Sequence, residues 1–190
     1  MLGSSHLGSR GSSMESTFLT TDQLQADLEH VSRSPKESGS LEAIFIRLPE
    51  SGREAPETVQ LTKTGGVQGD RWKASGASAE VQVTLMNVRV LDLVAAGDRD
   101  RRSLAGDQLI VDLDLSEDNL PTGQQIQIDD VILQVSEVPH TGCKKFVDRF
   151  GTDAGRFVNA PEVAHLNLRG INARIVRSGT VRVGAEVRKV

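Results

Sequence analysis

Short runs in which apolar and polar residues alternate dominate this chain, and a period of two is the signature of half-buried strands. Residues 58–62 (TVQLT) and 81–85 (VQVTL) follow it. So do residues 108–115, where Leu109, Val111, Leu113 and Leu115 oppose Asp112 and Asp114. Residues 41–47 (LEAIFIR) form a β-rich run that stops before Pro49. Residues 125–128 and 131–138 flank Asp129-Asp130, which predicts a tight hairpin. Residues 170–177, 180–183 and 185–189, punctuated by Gly179 and Gly184, predict the closing strands.

Helical spacing is rarer. Residues 20–32 predict one amphipathic helix: Thr20 and Gln23 make a capping box, and Leu24, Leu28 and Val31 share a face suited to covering one side of a domain. Residues 87–96 (NVRVLDLVAA) predict a second, capped by Asn87, lined by Val90, Leu91 and Val94, and stopped by Gly97. Residues 144–150 and 161–168 predict short helices. Residues 34–40 (SPKESGS) read as a linker, and residues 1–14 (MLGSSHLGSRGSSM) as an expression scar or a frayed native start outside the fold. The expected organisation is therefore an extension over residues 1–40 and one domain over residues 41–190. About eight short strands, frequent glycine turns and few helices predict a mainly β fold, a closed or nearly closed barrel with helices at its edges.

Composition narrows the function classes. A length of 190 residues suits one domain. With 22 Lys and Arg against 26 Asp and Glu the net charge is -4, which disfavours attraction to a nucleic-acid backbone. One Trp, five Phe and no Tyr argue against a surface that stacks single-stranded bases. No run approaches the ~20 apolar residues of a membrane helix, and no basic start precedes an apolar segment. The expectations are no nucleic-acid partner, no membrane and a cytoplasmic location. A single cysteine forbids an intrachain disulfide and removes Cys-cluster zinc sites. His6, His30, His140 and His165 lack zinc-ligand spacing, and there is no Gly-x-Ser-x-Gly elbow.

Two segments carry candidate chemistry. The first is Pro139-His140-Thr141-Gly142-Cys143-Lys144-Lys145-Phe146, between a predicted strand and a predicted helix. A thiol at a helix N-terminus beside Lys144 and Lys145 is expected to have a lowered pKa. Its thiolate would attack electrophiles, carry a sulfane sulfur or ligate a soft metal, with His140 exchanging a proton across the turn. The plainer alternative is a small buried cysteine. From residue 139 to residue 177 seven basic residues face three acidic ones, so a cationic sector suited to an anionic ligand is expected; a solvated charged face is the alternative. The second segment is Gly65-Gly66-Val67-Gln68-Gly69-Asp70-Arg71-Trp72. Its glycines can bring backbone N–H groups near an anion, and Arg71 can fork onto a phosphate or carboxylate with Asp70 orienting it. A structural glycine-rich loop with an Asp–Arg pair is the alternative.

The order of motifs resembles the MOSC domain family, named for the C-terminal domain of molybdenum-cofactor sulfurases. The residues that carry it are Gly69-Asp70-Arg71, Gln82-Val83-Thr84-Leu85 leading into a helix, Leu104-Ala105-Gly106-Asp107-Gln108-Leu109, residues 113–115 with Leu120-Pro121-x-Gly123, Asp129 with residues 131–138, and Cys143 just past that strand. The resemblance covers residues 41–189 and implies a MOSC-type barrel-like fold that binds the molybdenum cofactor (molybdopterin). It gives Cys143 the part of sulfur carrier or molybdenum ligand; with the reading of the loop above, Cys143 and His140 are the candidate catalytic residues. Asp70, Arg71, Gln82, Thr84, Lys144 and Lys145 become cofactor-binding residues. Trp72 stands where the family often has His, Gln108 where it usually has Asn, and His-Thr-Gly-Cys where Arg-x-Pro-Cys is commoner. A full sulfurase also carries a pyridoxal-phosphate desulfurase domain, for which this chain has no room, so that cofactor would belong only to a separate partner enzyme.

Two functions are expected, the first from the resemblance and the second from the departures at Trp72 and Gln108. One is sulfur transfer, or molybdenum-dependent reduction of N-hydroxylated compounds, needing a sulfur donor or an electron-transfer protein as partner. The other is a non-catalytic module that binds an anionic small molecule, or a protein partner through the helix of residues 20–32.

Overall fold

The computed structural model describes residues 18–190; the segment read as a scar or frayed start lies outside them. Two short helices open the described chain, α1 (Thr21–Ala26) and α2 (Leu28–Ser32). The expected capping box is present: the Thr20 hydroxyl accepts from Gln23 N–H, and the Gln23 side chain accepts from Thr20 N–H. The single helix expected here breaks at Asp27 (φ -93°, ψ 3°), which is both the end of α1 and the start of α2.

The strands follow: β1 (Ser38–Ile44), β2 (Ile46–Arg47), β3 (Arg53–Glu54), β4 (Thr58–Thr62), β5 (Gly66–Val67), β6 (Val83–Asn87), β7 (Leu109–Asp112), β8 (Gln125–Ile128), β9 (Val131–Val135), β10 (Ile171–Arg177), β11 (Gly179–Arg182) and β12 (Glu186–Lys189). The remaining helices are α3 (Trp72–Ser75), α4 (Val88–Val94), α5 (Lys144–Phe150) and α6 (Thr152–Asn159). Seven strands close a barrel in the order β1-β12-β8-β9-β10-β6-β7, with β7 returning to β1. The mainly β barrel expected from the alternating pattern is the observed fold. Its neighbours run antiparallel except β6 and β7, which are parallel. Ser38, Gly39 and Ser40, read as linker, instead pair with Arg188, Val187 and Glu186 and so help to close the barrel.

Alternation explains the two cores. Leu41, Val83, Leu85, Leu109, Val111, Ile126, Ile128, Leu133, Ala173 and Val187 point into the barrel. Met86 and Ile110, one position out of phase, face outward beneath α4, α5 and α6, packing with Leu24, Leu91, Phe146, Phe150 and Phe157. Every side chain of β6 is therefore buried, as expected for a strand covered on both faces. Hairpin β8–β9 turns at Asp129, which takes a left-handed φ of 47°. Asn87 caps α4 through Arg89 N–H and Val90 N–H, as its sequence predicts. Helix α6 was not expected, and the predicted helix over residues 161–168 is a 3-10 turn, Pro161–Leu166.

Candidate functional site

Arginines organise the ground beneath the site. A 3-10 turn (Arg99–Ala105) ends at Gly106, which has φ +87°, and so leaves carbonyls without helical partners. Four guanidinium groups meet them. Arg53 donates to Ser103 O (3.2 Å), Arg149 to Leu104 O (2.6 Å), Arg169 to Ala105 O (3.0 Å) and Arg47 to Gly106 O (3.5 Å). Burial, with Arg149, Arg71 and Arg47 nearby, lowers the pKa of Arg53 from the usual guanidinium value. Cations at the carboxyl end of a helical turn suit its exposed carbonyl dipoles. Their effect is to fix the residue that follows, Asp107.

Asp107 is fully buried between two partners. His140 Nε2 lies 2.8 Å from its Oδ1, and Arg169 Nη1 donates to its Oδ2 at 2.6 Å. Burial alone raises a carboxyl pKa; here the charges and hydrogen bonds of Arg169 and His140 outweigh it and hold Asp107 well below the usual carboxylate range. Arg169 is itself buried, lies over the Phe146 ring at 4.8 Å, and keeps its Nε without a partner among the described residues.

His140 is carried on the loop after β9. Asn172 of β10 donates to Val138 O (3.0 Å) and Pro139 O (3.3 Å), and the Ser136 hydroxyl accepts from Val138 N–H. Further on, Asn159 at the end of α6 grips Gly142 from both sides, accepting from its N–H (2.8 Å) and donating to its carbonyl (3.0 Å). A Cβ at Gly142 would sit 2.9 Å from Asn159 Nδ2, so only glycine fits without displacement. The next residue, Cys143, caps the N-terminus of α5 with extended backbone. Its side chain is exposed and makes no capping hydrogen bond. The alternative of a buried cysteine is thereby overturned.

A cleft of about 590 Å³ lies beside this loop, bounded by Arg47, Arg71, Trp72, Thr84, His140 and Lys145, among others. Arg71 and Lys145 have no side-chain partner among the described residues, so two charged heads are available to the cleft. Cys143 stands in sequence between His140 and Lys145 but is not one of the residues that bound the cleft.

The other expected site residues do different work. Asp70 is buried and binds Arg47, not Arg71: it accepts from Arg47 Nε (2.9 Å), Nη2 (2.8 Å) and backbone N–H (2.9 Å), and from Trp72 N–H (2.8 Å). The expectation that Asp70 orients Arg71 is corrected accordingly. Burial raises the carboxyl, but the Arg47 fork and these N–H groups prevail and its pKa is lowered. Gln82 is buried, donating to Lys63 O (2.6 Å) and accepting from Ile175 N–H (2.9 Å). Thr84 reaches the cleft, yet its hydroxyl donates to Gln108 Oε1 (2.6 Å), tying β6 to the start of β7. Lys144 lies outside the cleft and pairs with Asp148 one turn on (3.0 Å).

The expected cationic sector is also corrected. Of the seven basic residues in that stretch only Lys145 bounds the cleft. Arg169 is buried on Asp107, Arg149 turns to Leu104, Arg174 pairs with Gln134 and Glu80, and Arg177 donates to Asp130 O. Neighbours in sequence are spread over two helices, a turn and a strand, so their charges do not add at one place. Arg47 and Arg71, from an earlier part of the chain, supply the rest. Sequence reasoning did not nominate Asp107 or Arg47; only the position of Asp107 in the Leu-Ala-Gly-Asp-Gln-Leu run pointed there.

Residues 101–188 match the family model described as the MOSC domain. Residues 101–188 carry the MOSC domain. The matched span begins after β6, so β1 and β6, both needed to close the barrel, precede it. The MOSC barrel has counterparts among solved structures. The YuaD protein from Bacillus subtilis aligns with a TM-score of 0.57 at 16% identity, over 79% of this chain and 94% of that one. YiiM from Geobacillus stearothermophilus aligns at 0.54 and 14% identity, over 80% and 75%. YiiM from Escherichia coli aligns at 0.50 and 17%, over 79% and 70%. At these identities the likeness establishes a shared fold. No curated protein matches the chain in sequence.

Proposed function

We propose that this protein binds the molybdenum cofactor, with the cleft taking the anionic pterin end and Cys143 carrying sulfur or ligating molybdenum. The observation that carries this reading is a cleft with two uncommitted cations, Arg71 and Lys145, together with an exposed thiol two residues before Lys145, in a chain whose residues 101–188 match the MOSC domain. The donor set fits the anionic part of the cofactor: a planar guanidinium and an ammonium without internal partners suit a phosphate. Among the described residues no group of three or more His, Cys, Asp or Glu is placed to hold a metal, and Cys143 is the ligand this reading uses. A soft thiolate suits both molybdenum and sulfane sulfur.

The bound cofactor would supply the redox-active metal for sulfur transfer or for reduction of N-hydroxylated compounds. Arg71 and Lys145 would bind and orient the anionic end. Trp72 and Val138 would exclude water from the cleft, and Asn159 would keep the Cys143 loop in place through Gly142. A sulfur donor would complete the first reaction and an electron-transfer protein the second.

A second reading is a non-catalytic binder of an anionic small molecule. It is favoured by the absence of Cys143 from the cleft boundary and by the internal hydrogen bonds of Asp70, Gln82 and Thr84. Cys143→Ser separates the two. Loss of sulfur transfer or of molybdenum retention supports the first; unchanged values in both assays leave the second.

A further inference from the structure

His140 has one ring nitrogen committed and one free. Nε2 lies 2.8 Å from Asp107 Oδ1, and an ionised carboxylate only accepts hydrogen bonds, so the proton of the neutral ring belongs on Nε2. Asp107 cannot turn away, because its other oxygen takes Arg169 Nη1 at 2.6 Å, and Arg169 is anchored on Ala105 O and the Phe146 ring. Arg169 already balances the charge of Asp107, so the carboxylate acts on His140 chiefly as an oriented acceptor. Nδ1 has no hydrogen-bond partner among the described residues, and the ring helps to bound the cleft. It also helps to bound a second cavity of about 520 Å³. The charged groups near the ring are its partner Asp107 with Arg169, the cleft residues Arg47, Arg71 and Lys145, and Glu117, Asp118 and Glu137 of the second cavity.

We infer that Asp107 is a positioning residue that holds His140 as the Nε2–H tautomer, leaving Nδ1 to accept a proton from an acidic O–H, N–H or S–H group of a ligand in the cleft. In that step the N–H bond at Nδ1 forms as the ligand's bond to hydrogen breaks. The ligand keeps the electron pair, and the imidazolium, steadied by Asp107 at Nε2–H, later returns the proton to product or water. The class of ligand rests on the proposed function; the tautomer does not.

The test is nitrogen-15 NMR of the whole labelled chain at a pH where imidazole is neutral. The His140 ring is assigned by the signals lost in His140→Gln. The expected wild-type result is a protonated Nε2 and a bare Nδ1. In Asp107→Asn the amide oxygen must serve Arg169, so the amide N–H faces Nε2 and the proton shifts to Nδ1. A wild-type proton on Nδ1, or an Nε2–H tautomer retained in Asp107→Asn, overturns the inference. Should Asp107→Asn not fold, the wild-type tautomer decides alone. Failure to bind the cofactor would leave this result untouched, so the two proposals fail separately.

Discussion

Asp107 and Arg169 form a buried ion pair whose partners are 0% and 5% exposed at the side chain. Removing one member of such a pair leaves the other charge without compensation, which typically costs about 3–5 kcal/mol. Asp107→Ala is expected to lower stability by that order, read as a shifted denaturant midpoint. Asp70 and Asp107 both have depressed folded pKa values. Their stabilisation is therefore complete above the unfolded carboxylate value of about 3.9 and is lost as pH falls below it. Stability measured against pH should fall on that acid side, and Asp70→Asn should flatten the fall while lowering stability at neutral pH. Unchanged acid slopes would contradict the role given to Asp70. Residue chemistry was only partly legible beforehand. Asp70 and Arg71 look like a pair in sequence, but Asp70 turns inward to Arg47 while Arg71 stays exposed. Cys143 was readable because a lone thiol between polar and basic neighbours has little reason to be buried.

Elements with clear periodicity were legible to within a few residues, as at β4, β8, α4 and α5. Helix α6 was missed because Gly155 interrupts its pattern and glycine reads as a breaker. Its reason is packing: a Cβ there would lie 2.4 Å from Val147 Cγ2 of α5. Gly155→Ala is expected to destabilise by about 1–3 kcal/mol through overpacking, despite the better helix propensity of alanine. Gly170 is stricter. It has φ +102°, and a Cβ would meet Leu85 O at 2.1 Å, against the β6 backbone. Gly170→Ala should disrupt the β6–β10 pairing, seen as lost amide-exchange protection in residues 83–87. Wild-type protection there would contradict it. The break at Asp27 was hidden because Leu24, Leu28 and Val31 keep helical spacing across it.

At the scale of the whole molecule, the barrel fold was predicted by alternation, while the distribution of charge was not. A linear count gave a cationic sector near the thiol; the folded chain disperses it and gathers Arg47, Arg71 and Lys145 from separate elements around one cleft. Which cations meet is decided by strand order and helix packing, which a one-dimensional sum does not contain. Two of these cations are uncommitted, and a charge-assisted hydrogen bond from each to a phosphate contributes about 1.5–3 kcal/mol. The most direct measurement is a fluorescence titration of the folded protein with isolated molybdopterin, comparing wild type with Arg71→Ala combined with Lys145→Ala. The prediction is saturable wild-type binding that weakens by at least about tenfold in the double variant, a loss of ~1.4 kcal/mol or more. Equal affinity in the two proteins, or no wild-type binding, would contradict the account.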